Sequence, residues 1–182
     1  MPTSGTPKRK PSRAPELALT IQYGIRSAQL PPRARLRVWA RAALRRSAAV
    51  TLRIVGAREA RRLNRHFRNR DYATNVLSFA YPDQRPLAGD IAICAPVAAR
   101  EARANGISRE AHYAHLVIHG MLHLQGFDHE NERDARRMER LESRILARLG
   151  YSDPYGGDAA KTRLSASRLT PHASRKHGRQ SP

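Results

Sequence analysis

Cysteine is nearly absent. Cys94 stands alone in 182 residues, which excludes an internal disulfide. Lying in a predicted strand, it reads as a small buried hydrophobe rather than a reactive thiol. No run approaches the roughly 20 apolar residues that a bilayer-spanning helix needs. The N-terminus is basic and rich in proline but has no apolar segment of the signal-peptide kind, so a cytoplasmic protein away from membranes is expected. No internal repeat of solenoid period is present. Acidic residues are scarce as well: 15 Asp and Glu face 34 Lys and Arg, for a net charge of +19.

Four of the 34 basic residues are lysine and 30 are arginine. A GC-rich genome accounts for arginine over lysine better than it accounts for the shortage of acids. Residues 1–15 carry +4 and residues 152–182 another +4, which leaves +11 on the part between them. A core that basic attracts a polyanion, and RNA is the first candidate. The length suits one compact domain with tails. Residues 1–15 hold four prolines and almost no apolar side chain. The stretch 156–182 is rich in Gly, Ser, Arg and Lys. The division expected is a disordered basic tail over 1–15, a domain over 16–151 and a second disordered basic tail over 152–182. The tails are either nonspecific phosphate-binding arms or plain solvated extensions.

The domain reads as α+β: a small mixed sheet packed against helices, with the histidine-bearing helix central. Strands are predicted over 18–23, 50–55, 75–80 and 90–94. Helices are predicted over 33–47, 57–67 and 96–105, then from Ser108 to about Gln125, and from about Glu130 to Gly150. Met138, Leu141, Ile145 and Leu149 form the apolar stripe of the last helix. Arg133, Arg137, Arg140, Arg144 and Arg148 form a second stripe, readable as a phosphate track or as an ordinary solvated face.

Chemistry concentrates in His119-Gly-Met-Leu-His-Leu-Gln-Gly-Phe-Asp-His129. His119 and His123 are four residues apart, which puts both imidazoles on one helix face. Gly126 is a helix-ending residue that tolerates positive φ, and the chain can turn there to bring His129 back towards the pair. Three histidine ligands with an open fourth position are the pattern of a catalytic zinc site, so one Zn2+ per chain is expected on His119, His123 and His129. The metalloprotease pattern H-E-x-x-H carries a glutamate directly after its first histidine. Here that position is Gly120, and a peptidase mechanism lacks its base. Asp128 fits either a hydrogen bond to a ligand ring or the N-cap of the following helix. A rival ladder of His115, His119 and His123 would span about 12 Å along a straight helix, too long for one ion. His112 and His115 are therefore expected on the surface or in the core, with support of the metal ligands as the lesser option.

The histidine motif resembles the H-G-x-L-H-L-x-G-[YF]-D-H of the YbeY family, bacterial endoribonucleases of rRNA maturation. Residues 63–79, from Leu63-Asn64 through Phe67-Arg68 and Asp71 to Thr74-Asn75-Val76-Leu77-Ser78-Phe79, are similar to the family's L-N-x-x-[YF]-R-x-x-D-x-P-T-N-V-L-S-F. Gly89-Asp90-Ile91-Ala92-Ile93 resembles its G-D-I-x-I. The three blocks lie in family order and the likeness spans roughly residues 17 to 151. Ala73 departs from the proline common at that position, which relaxes a turn and leaves the chemistry untouched.

The resemblance implies a single-strand-specific, zinc-dependent endoribonuclease in small-subunit rRNA 3′-end processing and ribosome quality control. Its partners would be rRNA, the small ribosomal subunit and a ribosomal protein. It also selects Arg68 over its neighbour Arg70, because the family's arginine follows an aromatic residue. Arg68 and His119 are thus the catalytic expectations. A guanidinium can hold a phosphate bidentately and stabilise charge in the transition state. Water activated by the metal and the RNA's own 2′-OH both remain open as nucleophile. Two other classes stay open: a metal-dependent hydrolase of a non-RNA substrate, and a non-catalytic zinc-containing factor that binds rRNA on the ribosome.

Overall fold

The computed structural model describes residues 14–81, 83–127 and 131–156. In chain order these form β1 (Leu17–Tyr23), α1 (Arg33–Ala42), β2 (Ala48–Val55), α2 (Ala57–Arg68), β3 (Val76–Tyr81), β4 (Leu87–Cys94), α3 (Ala95–Ala104), α4 (Arg109–Leu124) and α5 (Glu132–Arg148). The four strands make one mixed sheet in the order β1-β2-β4-β3. β1, β2 and β4 run parallel, and β3 runs antiparallel to β4 at the edge. The fold is the expected α+β arrangement.

Alternation assigns the faces of the sheet. Val50, Leu52 and Ile54 of β2 and Ile91 and Ile93 of β4 join the large core, together with Leu36 and Trp39 of α1 and Leu116, Met121 and Leu122 of α4. Each aliphatic side chain buried there is worth about 1.5–3 kcal/mol. α4 is buried on most of its circumference, as a helix apolar nearly all round must be. The opposite sheet face carries α2. Ala60 packs there with Val55, Cys94 and Val97, and the Phe67 ring lies 4.7 Å from that of Phe79. Cys94 is a free, buried thiol raised by burial.

Gly120 lets α4 settle on the sheet. A Cβ at this position would stand 2.9 Å from Ile91 Cγ2 and 3.2 Å from Ser78 Oγ. The H-E-x-x-H glutamate is therefore excluded by packing as well as missing from the sequence. Gly120→Ala is expected to destabilise the protein by about 1–3 kcal/mol through overpacking. That is the opposite sign to the ~1 kcal/mol gain that alanine brings in an open helix. Chemical denaturation of the two proteins checks it, and a more stable variant would show that the contact yields.

Several boundaries differ from the sequence expectation. α1 ends at Ala42 rather than near Ser47, because the next turn is tied to Gln125. The Gln125 side chain accepts from the amides of Arg45 (2.6 Å) and Arg46 (3.2 Å) and donates to Ala43 O (2.9 Å). α5 begins at Glu132, not Glu130. Its N-cap is Asn131, whose side chain accepts from Asp134 N, so the capping role considered for Asp128 belongs to Asn131. Residues 152–156, assigned to the tail, are among those described, and Asp153 accepts from Ser143 Oγ of α5 at 2.6 Å. Most of the two expected tails, residues 1–13 and 157–182, lies outside the described residues. No helix among the described residues is long and apolar enough to cross a membrane.

Candidate metal centre

Ser108 caps α4 as its sequence suggests, its Oγ accepting from Ala111 N at 3.1 Å. The helix then carries His112, His115, His119 and His123 along one side. It ends where Gly126 takes φ +87°, with Gly126 N donating to His123 O (3.0 Å) and Phe127 N to Leu122 O (3.1 Å). This glycine-closed terminus ends the helix three residues past the second histidine of the motif.

His119 and His123 are both buried, and their ring centroids are 4.5 Å apart. The structure thus brings this predicted pair together. The third predicted ligand, His129, and its neighbour Asp128 lie outside the described residues. His119 Nδ1 is 2.8 Å from Glu142 Oε1, and the Glu142 side chain is wholly buried on α5. His115 Nε2 lies 3.1 Å from Glu142 Oε2. The Tyr155 hydroxyl donates to the same oxygen. Burial alone would raise the Glu142 carboxyl, but the charges and hydrogen bonds of His119 and His115 outweigh it and hold the group below the ordinary carboxylate range. Tyr155 is pushed up, first by burial and then by Glu142.

His115, His119 and Glu142 offer ligand atoms within 4.8 Å of one another, so this group can bind a metal. The His119–His123 pair offers a second arrangement, with its rings 4.5 Å apart. A carboxylate only accepts, so His119 donates from Nδ1; in its neutral form, the one able to bind an ion, the ring carries its lone pair on Nε2. That nitrogen is the usual ligand atom of a histidine whose other nitrogen rests on a carboxylate. The imidazole donors, their shared helix face and the buried carboxylate behind them fit a zinc-type ion.

Sequence reasoning left Glu142 and Tyr155 out. A signal existed for Glu142: it sits inside the apolar stripe of Met138, Leu141 and Ile145, where a carboxylate needs a partner. Tyr155, in a Gly-rich stretch, carried none. His112 is a core histidine, 2.9 Å from Glu101 Oε2.

Arg68 is the last residue of α2 rather than part of the loop beyond it, and it is half-buried. Asn69 follows in the left-handed region (φ +54°) and ends the helix. The connection to β3 is tied at three points. Asp71 receives Arg61 at 2.6 Å and 2.8 Å. Asn64 Nδ2 donates to Tyr72 O at 2.8 Å. Asn75 donates to Glu101 at 3.0 Å and accepts from Val76 N at 2.7 Å. Burial opposes ionisation of Glu101, but His112 and Asn75 bond it and hold it below its ordinary value. The Asn, Asp and Asn positions of this block thus hold the segment that runs from Arg68 to the sheet. Arg70 is exposed, its nearest partner the Tyr72 hydroxyl at 3.5 Å.

Fold and site together define an α+β protein built around a buried histidine helix that can bind a metal. The family model described as Endoribonuclease YbeY matches residues 32–150. An Endoribonuclease YbeY of Aromatoleum aromaticum is 56% identical over 142 residues, covering 76% of this chain and 92% of that protein. One of Nitrosomonas europaea is 50% identical over 155 residues, covering 85% and 94%. The chain belongs to the YbeY endoribonuclease family. Its fold is similar to that of TM1509 from Thermotoga maritima, determined in solution. The TM-score there is 0.51 at 22% identity, covering 89% of this chain and 99% of the other.

Proposed function

We propose that this chain is a zinc-dependent endoribonuclease that cuts single-stranded RNA in the cytoplasm and matures the 3′ end of small-subunit rRNA. The observation that carries the reading is the buried His119–His123 pair, with the Nδ1 of His119 resting on Glu142. Family membership supplies the reaction class, and the net charge of +19 suits a polyanionic substrate.

His119, His123 and His129 would hold one zinc per chain. When bound, zinc supplies Lewis acidity at a phosphoryl oxygen and lowers the pKa of water towards about 7. The protein's own part is orientation. Arg68, anchored at the end of α2, holds the scissile phosphate with its planar fork. Gly120 keeps α4 against the sheet, so the two imidazoles cannot drift from a common face. The small ribosomal subunit, with one of its proteins, is the assembly on which the enzyme acts.

Cleavage of an unstructured RNA by the purified protein tests the reading. Activity is expected to disappear on chelation and to return with zinc. Full activity in metal-free protein would remove the metal from the proposal. Tight RNA binding without any cleavage would leave a binding factor in its place.

A further inference from the structure

Glu142 has no exposed surface and lies among Met138, Leu141, Ile145 and Leu146 on the inner face of α5. A carboxylate in such a place is costly unless donors surround it. Three donors do so, two from α4 and one from the turn after α5: His119 Nδ1 on one oxygen, and His115 Nε2 and the Tyr155 hydroxyl on the other. The Tyr155 hydroxyl also lies 3.2 Å from His115 Nε2. Its single hydrogen goes to the carboxylate, and the N–H of His115 faces both oxygens. Tyr155 is itself fixed, because Asp153 accepts from its backbone N–H at 3.0 Å as well as from Ser143.

These bonds have a chemical consequence. Each imidazole nitrogen that faces Glu142 must carry a proton, so the neutral His119 is held as the Nδ1–H tautomer with its lone pair on Nε2. An ion placed among His115, His119 and Glu142 would have to expel those protons and break all three bonds. We propose that Glu142 is the positioning residue that fixes the tautomer and ring orientation of His119 for metal binding, and that Tyr155 latches the carboxylate in place. The inference rests on the assignment of the metal to His119, His123 and His129. It makes the C-terminal turn over residues 153–156 part of the metal centre without contact with the ion.

The test uses the full chain, stripped of metal and titrated with Zn2+ against a chromophoric chelator. Glu142→Gln is expected to bind zinc about 10–100-fold more weakly, the scale for removing a partner of a metal-bound histidine. Tyr155→Phe, which keeps the carboxylate, is expected to lose less, about threefold to tenfold. Nitrogen-15 NMR of the metal-free protein gives an independent reading. The native chain should show His119 as the Nδ1–H tautomer, and Glu142→Gln should show both tautomers. A merely structural role would lower the melting temperature and leave tautomer and affinity unchanged. If Glu142→Gln does not fold, Tyr155→Phe decides by the same two readouts. His123→Ala separates the two levels of the argument. Weakened zinc binding in His123→Ala, with native affinity and tautomer in Glu142→Gln and Tyr155→Phe, overturns the positioning role alone. Native affinity in His123→Ala overturns the metal assignment beneath it.

Discussion

Purified His123→Ala is expected to retain roughly a tenth or less of the zinc found in the native chain, since two imidazoles rarely hold a zinc ion that three were built for. His119→Ala and His129→Ala should behave alike. His112→Ala and His115→Ala should keep most of their zinc, for different reasons. His112 bonds Glu101 on α3, away from the proposed ligands. His115 faces Glu142, so its loss thins the support behind His119 without removing a ligand. Elemental analysis of the five variants, each checked for folding by its melting curve, gives the answer. Loss of zinc in His115→Ala together with full retention in His129→Ala would place the ion among His115, His119 and Glu142 instead.

Arg68→Ala is expected to lose cleavage by about 10²–10³, the usual scale for one preorganised electrostatic contact to a transition state. Zinc content and melting temperature should stay near those of the native protein, and RNA binding should fall only modestly because many other arginines remain. Arg68→Lys should recover little, as an ammonium cannot reproduce the two-pronged fork. Arg70→Ala is the local control. The two residues differ in setting: Arg68 is half-buried at the end of α2, while Arg70 is exposed with a single distant partner. A held guanidinium has less freedom to lose when it meets a phosphate, which favours Arg68 for the role. Single-turnover cleavage of a single-stranded RNA measures the effect. Equal losses at both positions would reduce the contribution to general positive charge, and normal cleavage in Arg68→Ala would remove Arg68 from the mechanism.

The element pattern was readable because it rests on local periodicity. The alternation of Val50, Leu52 and Ile54 marked a strand with one face in the core, and all four strands fall within a few residues of their expected places. Ser108 and Gly126 marked the two ends of α4 through capping and positive φ. Where local patterns continued past the true end of an element, the reading overran. The amphipathic run of α1 suggested a helix to residue 47, and Gln125, about 80 residues away, ends it at Ala42. Asp128 fitted either a bond to a ligand ring or the cap of α5; the cap is Asn131, and Asp128 lies outside the described residues.

The histidine helix and the neighbouring of His119 and His123 were determined by sequence alone, since a spacing of four residues sets one helix face whatever surrounds it. The absence of the H-E-x-x-H base was likewise plain at Gly120, although only packing against Ile91 and Ser78 shows why nothing larger fits. Tertiary structure alone decided what stands behind the histidines. Glu142 is 23 residues from His119, and Tyr155 is 40 from His115. Periodicity says which way a side chain points from its own helix. It does not say which residue of another layer meets it, because that depends on how α4, α5 and the C-terminal turn settle against the sheet.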